Sequence, residues 1–189
     1  MGEIVLWRMC LKRTSNMTDT EAYGDLYQWG RLSDGHEKRE SGTTTTLSST
    51  DDPEHNKFIL SPYQPAPSTG DWRNPQNDNL WQGVNGINNP CPEGFRLPTK
   101  AELQAEVDSW TTQNIQGAFA SPLRLPAAGA RLREAGSIYS AGSYGAYWTS
   151  TTFNGTEPLS NGLSISESVA TIHEIMVRAT GLSVRCIQD

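Results

Sequence analysis

Hard oxygen donors crowd the stretch from residue 71 to residue 93. It runs Asp71-Trp72-Arg73-Asn74-Pro75-Gln76-Asn77-Asp78-Asn79-Leu80-Trp81-Gln82-Gly83 and continues through Asn85, Asn88, Asn89 and Glu93. Carboxylates, amide oxygens and main-chain carbonyls in a flexible loop are the ligands that calcium takes. Asp71, Gln76, Asn77, Asp78 and Asn79 are therefore the candidate metal ligands, with Ca2+ as the expected cofactor. An ion with an unfilled position also accepts a ligand's carboxylate or vicinal hydroxyls, so metal and ligand would share one site. Trp72 and Trp81, set among these donors, are expected as exposed flat surfaces on which a ligand rests. Tyr144 and Tyr147 are further candidate contacts. Trp148 fits the core better, because Tyr147-Trp148-Thr149-Ser150 alternates like a half-buried strand. Arg73 could fork onto a ligand carboxylate or close an internal salt bridge with Asp71 or Asp78. The same Asn and Asp residues also serve, without any metal, as turn formers bonded to their own backbone.

Other chemistry finds little support. The three histidines (His36, His55, His173) are scattered and no Cys-x-x-Cys pair occurs, which argues against zinc. No Gly-x-Ser-x-Gly elbow is present, and no Cys has a histidine close by in sequence. His173-Glu174 reads as a solvated pair before a proton relay. Asp51, Asp52 and Glu54 form a second acidic cluster, read as a solvated turn before a second ion site. Cys91 and Cys186 both border strand-like segments; they could pair, or remain two buried thiols, with Cys10 left over.

The elements that must position these groups come from a 189-residue chain, long enough for one domain with a sizeable core. A formal charge of -6, with no Lys/Arg run longer than the pairs Lys12-Arg13 and Lys38-Arg39, argues against the basic stripe of a nucleic-acid binder. The longest apolar runs fall far short of a membrane span. Met1-Gly2-Glu3 opens no signal peptide, as expected of a single domain (residues 1–189) taken from a larger surface protein.

Residues 4–7 read as a first strand and residues 21–29 as a short helix, with Ala22, Leu26 and Trp29 on one face and Thr18 or Asp19 as cap. Residues 30–70 are polar and irregular apart from Phe58-Ile59-Leu60, the pattern of a functional or mobile excursion. Phe95-Arg96-Leu97 is a short strand, and Thr99 with Glu102 forms a capping box opening a helix to about Ser109. Strands are expected at 123–125, 130–133, 137–140, 146–151, 163–166, 169–172 and 182–187. The class is α+β, two early helices followed by an antiparallel, heavily looped sheet region.

Five motifs occur together and in order: residues 23–31 (Tyr-Gly-Asp-Leu-Tyr-Gln-Trp-Gly-Arg), residues 91–99 (Cys-Pro-Glu-Gly-Phe-Arg-Leu-Pro-Thr), Leu125-Pro126-Ala127-Ala128-Gly129, Tyr147-Trp148-Thr149-Ser150-Thr151 and Ser183-Val184-Arg185-Cys186. Together they resemble the Fibrobacter major paralogous domain, a family of bacterial, mostly surface-exposed modules. That resemblance implies a C-type-lectin-like fold, shared with formylglycine-generating enzymes: an irregular antiparallel sheet with two helices and long loops. Asp34-Gly35-His36-Glu37-Lys38-Arg39 and the 75–83 loop also resemble the peptide-binding domains of RTX adhesins. Trp7-Arg8-Met9-Cys10-Leu11-Lys12 departs from the family's Trp-Met-Asp-Arg-Asn-Leu-like stretch. Formylglycine generation needs two copper-holding cysteines near the C-terminal part, where this chain has only Cys186. The resemblance thus implies a non-enzymatic, extracellular, calcium-dependent adhesion module on a bacterial surface. It would recognise short peptide ends, C-termini foremost, on a target cell. The alternatives are a carbohydrate-binding lectin-like module and a retroelement-diversified receptor with variable positions within residues 153–180; a spacer without ligand is disfavoured by the polar excursion.

Overall fold

The computed structural model describes residue 16 and residues 18–61, 70–153 and 157–189. The strand expected at residues 4–7 lies outside the described residues. Among the described residues eleven strands and two α-helices follow one another: β1 (Tyr27–Gln28), β2 (Thr43–Thr44), β3 (Phe58–Ile59), β4 (Phe95–Arg96), α1 (Lys100–Asp108), α2 (Ile115–Ala120), β5 (Ala130–Arg131), β6 (Ile138–Tyr139), β7 (Tyr144–Thr152), β8 (Leu159–Ser166), β9 (Ala170–Val177), β10 (Gly181–Leu182) and β11 (Ile187–Gln188). Strands β1-β10-β5-β6 form one antiparallel sheet and β7-β8-β9 another; β4 pairs with β11, and the short β2-β3 pair is parallel. The chain is α+β, as its pattern implies.

Helix α1 starts where the sequence says it must. The Thr99 side chain accepts from the Glu102 amide, and Glu102 returns a bond to the Thr99 amide. Arg96 grips the same Glu102 with two 2.8 Å bonds, which holds that carboxyl down at about 2. Residues 21–29 are not a helix. A single 3-10 turn (Thr20–Ala22) capped by Asp19 ends at Gly24, whose φ of +62° leaves the helical region, and Tyr27 and Gln28 pair with Leu182 and Gly181. The apolar spacing of Ala22, Leu26 and Trp29 serves a turn followed by a strand. The second helix is α2, capped by Asn114 on the amides of Gln116 and Gly117. A Cβ on Gly117 would stand 1.8 Å from the Thr112 carbonyl oxygen, so glycine is required there. Residues 123–125 are a loop, and the strand expected at 182–187 divides into β10 and β11.

Strand β7 is buried on both faces, where its alternation reads as half-buried: Tyr147 and Trp148 are both inside, each facing a different core. Tyr147 joins Leu103, Val107, Leu163 and Ile165 beneath the two helices. Ala146 and Trp148 face a second core built from Trp29, Trp72, Trp81, Leu80 and Leu97. The polar excursion is pinned to that core by buried polar side chains. Gln28 bonds the carbonyls of Ile59 and Ala179 and receives the Ile59 amide. Arg31 reaches Asp34 and the carbonyls of His55 and Lys57. Arg131, 4.3 Å over the Phe58 ring, holds Ser41, Lys38 and Gly136. Arg31 and Arg131 both draw on main-chain carbonyls, the way loops lacking a ladder meet their hydrogen-bond demand.

Candidate functional site

The oxygen-rich loop turns inward. Asp71 is 2% exposed, receives the Trp72 amide at 2.7 Å, and has Arg178 Nη1 at 3.9 Å. Burial pushes its carboxyl up to about 7, against the pull of Arg178 and the amides of Trp72 and Arg73. Arg178 Nη2 lies 2.6 Å from Asp78 Oδ1, its Nε bonds Ser160, and its guanidinium stacks 4.5 Å above Trp29. Asn77 donates to Asp51, which also meets Arg73 at 3.2 Å. Asn77 Oδ1 accepts the Asn79 amide, an Asx turn of the metal-free kind. Gln76 is half-buried and Asn79 exposed. Arginine side chains thus stand against the carboxylates that the sequence offers to a cation: Arg178 bridges Asp71 and Asp78, and Arg73 takes Asp51 in place of Asp71 or Asp78.

The tryptophans correct the expectation of an exposed platform. Trp72 and Trp81 are 0% and 1% exposed. Trp72 donates to the Trp29 carbonyl at 2.7 Å, and Trp81 packs 5.5 Å from Trp29. Trp148 is in the core as read, its Nε1 on the Tyr27 carbonyl. Tyr147 is buried with its hydroxyl donating to Pro126 O at 2.6 Å, and burial raises its pKa. Tyr144 is half-buried, edge-on to the exposed Tyr139. The loop carries its aromatic residues into the core because Trp29 and Trp148 already provide an apolar face there.

Two constellations appear that sequence spacing does not disclose. Asp34, His36 and Glu37 bring three ligand-type atoms together. His36 Nε2 accepts the Gln28 amide, so Nδ1 carries the proton that it shares with Asp34 Oδ1 at 2.7 Å. Both ring nitrogens are thereby used. Burial drops the imidazole pKa to about 4, so His36 is neutral and structural. Across β8 and β9, Ser164 Oγ lies 2.7 Å from His173 Nε2. A nucleophile–base pair needs a third group to orient the imidazole, and the His173 ring makes no other hydrogen bond among the described residues.

The third constellation is a cleft with a cavity volume of about 180 Å³. Four separated segments meet there: Tyr23 to Tyr27, Pro90 to Phe95, Pro126 with Tyr147, and Ser183 to Cys186. A disulfide between Cys91 and Cys186 (S–S 2.04 Å) ties the second segment to the fourth, settling the pairing that the sequence left open. Ser183 sits on the sheet, giving its amide to Ala146 and taking that of Trp148. Its hydroxyl is buried without a hydrogen-bond partner, and so is Arg185 Nε. Arg185 makes no ion pair among the described residues, and burial lowers its pKa. Asp25 at the rim is taken by Lys38 at 2.6 Å. Of the ligand contacts expected from sequence, only Tyr147 borders this cleft. Arg185 was legible only as part of an apolar strand; its signal is a charge placed among Val184, Cys186 and Ile187.

No family model, no curated protein and no solved structure matches the chain.

Proposed function

We propose that this chain is a non-catalytic recognition module of the extracellular adhesion type, taking a short peptide end in the cleft described above. One observation carries this reading: rings of Tyr23, Tyr27, Phe95 and Tyr147 and the prolines 90, 92 and 126 wall a single indentation. Aromatic and proline surfaces receive an apolar side chain with little loss of conformational freedom. The volume lies below the roughly 300–1,000 Å³ of sites for drug-sized ligands, which suits one chain end better than an assembly of sugar rings. The mixed architecture is compatible with the C-type-lectin-like fold and the adhesin kinship that the motifs imply. The Cys91–Cys186 disulfide agrees with an oxidising, extracellular setting. No helix among the described residues is long and apolar enough to cross a membrane.

Calcium held by the 76–79 turn is the second reading, favoured by the half-buried Asn77, bonded to Asp51, and by the half-buried Asp78 in the same turn. Here the ion would act from the outer edge of the loop, in competition with Arg178.

Peptide and glycan arrays probed with the immobilised chain test the function, with and without chelator. Retention of peptides supports it, and Tyr27→Ala should reduce that retention at least tenfold. Retention of glycans alone would replace it with a lectin reading.

A further inference from the structure

We propose that Asn16 is an N-glycosylation acceptor, a modification site on the turn that leads into the cleft. Asparagine occurs at 11 positions, and only Asn16 and Asn154 have a serine or threonine two residues on with no proline between: Asn16-Met17-Thr18 and Asn154-Gly155-Thr156. Asn154 lies outside the described residues. The motif alone is common in sequences, and three features of the fold single out Asn16. Asn16 and Thr18 are both exposed. Asn16 Oδ1 accepts the Thr18 amide at 3.2 Å, an Asx turn that presents the acceptor carboxamide and the threonine as one unit. That bond engages the oxygen only, and Asn16 Nδ2, the atom a sugar must bond to, makes no hydrogen bond among the described residues. The contrast with the other asparagines is direct. The side-chain nitrogens of Asn77, Asn88, Asn89, Asn114 and Asn161 all donate to protein oxygens.

A carboxamide nitrogen is a weak nucleophile, so the co-substrate is a sugar activated at its anomeric carbon by a phosphate or diphosphate, brought by a glycosyltransferase. The anomeric C–O bond breaks and its electron pair leaves with the phosphate oxygen. The new C–N bond forms to Asn16 Nδ2, and the displaced amide proton passes to a base of the transferase. Lipid-linked and nucleotide-linked donors share this chemistry. The Cys91–Cys186 disulfide fits a chain that passes through an oxidising compartment, the setting in which lipid-linked donors are used. The position is also defined within the fold. Asn16 O accepts the Asp19 amide at 3.1 Å, Asp19 caps the Thr20–Ala22 turn, and Ala22 and Tyr23 line the cleft. A bulky, hydrated glycan is thus tethered at the outer end of one cleft wall, where it buries no polar group of the protein. The acceptor role of Asn16 is independent of what the cleft binds.

The test exposes the folded full chain, in separate reactions, to two donors. One is a lipid-diphosphate-linked oligosaccharide with an oligosaccharyltransferase that reads Asn-x-Ser/Thr without a flanking requirement. The other is UDP-glucose with a soluble N-glucosyltransferase. Intact mass counts the additions, and tryptic mapping assigns them, since Asn16 falls in the peptide 14–31 and Asn154 in the peptide 134–178. The expected result is one glycan on the 14–31 peptide from at least one donor. Which donor succeeds identifies the class of sugar carrier, and either success supports the site. Asn16→Gln and Thr18→Ala should each abolish that addition, and Thr18→Ser should retain it. All three should keep the wild-type melting curve, because both positions are exposed. No addition to the 14–31 peptide of the folded chain with either donor overturns the proposal. So does addition there only after denaturation, addition at Asn154 alone, or addition that survives in Thr18→Ala.

Discussion

Arg178 sets Nη2 2.6 Å from Oδ1 of Asp78, so one of the most deeply buried cations in the fold clamps a half-exposed acid of the loop. The guanidinium stands where a cation would approach Asp78 from within. From the same position it also lies 3.9 Å from Asp71, a pull that burial of that carboxyl outweighs.

The first prediction follows from that competition. Asp78→Asn removes the charge partner of Arg178 and should cost about 1–2 kcal/mol, less than a fully buried pair because Asp78 is partly solvated. Millimolar calcium should leave the wild-type melting temperature within a degree of its value in EDTA. A rise of several degrees, abolished by Asp78→Asn, would favour the calcium reading instead.

Asp71 gives a pH dependence with a definite sign. Its folded pKa, about 7, lies above the ordinary value of 3.8 because the carboxyl is buried. Its stabilising contribution is therefore complete below about pH 4 and is lost as pH rises towards 7. Asp71→Asn keeps an acceptor for the Trp72 amide and cannot ionise. Relative to wild type the variant should gain stability between pH 4 and pH 8, by a few kcal/mol across the range, measured by urea denaturation. A constant difference across that range would contradict the assignment.

The Cys91–Cys186 bond closes a loop of 95 residues. By chain entropy such a closure stabilises by about 4.7 kcal/mol, with native geometry deciding how much is realised. The double variant Cys91→Ala/Cys186→Ala should lower stability by about 2–4 kcal/mol. It should also weaken cleft binding, because Pro90, Pro92 and Val184 are held together across that bond. A variant of unchanged melting temperature that still binds fully would show the bond to be incidental to both.

What the sequence discloses here is what acts over a few residues. Thr99 and Glu102 declare α1 because a capping box involves only neighbours in sequence. The alternation around Trp148 declares β7 for the same reason. Tyr27 and Gln28 mislead because their strand partners, Leu182 and Gly181, are more than 150 residues away, and tertiary pairing overrides an apolar spacing that also fits a helix. Helix α2 escapes notice because Gly117 lowers its propensity, while the reason for that glycine is contact with the Thr112 carbonyl. Trp72 and Trp81 read as exposed because their neighbours are polar, yet the loop folds them onto Trp29. Arg185 needs four distant segments to become a cleft residue, and no local pattern encodes that meeting.

The central claim is that recognition happens in the Tyr23–Tyr27–Phe95–Tyr147 cleft. Amide chemical-shift mapping with a free-acid peptide retained by the array tests it most directly. The account predicts perturbations concentrated at Tyr23, Gly24, Phe95 and residues 183–186, unchanged when EDTA is added. Perturbations confined to residues 71–83, and abolished by EDTA, would contradict it.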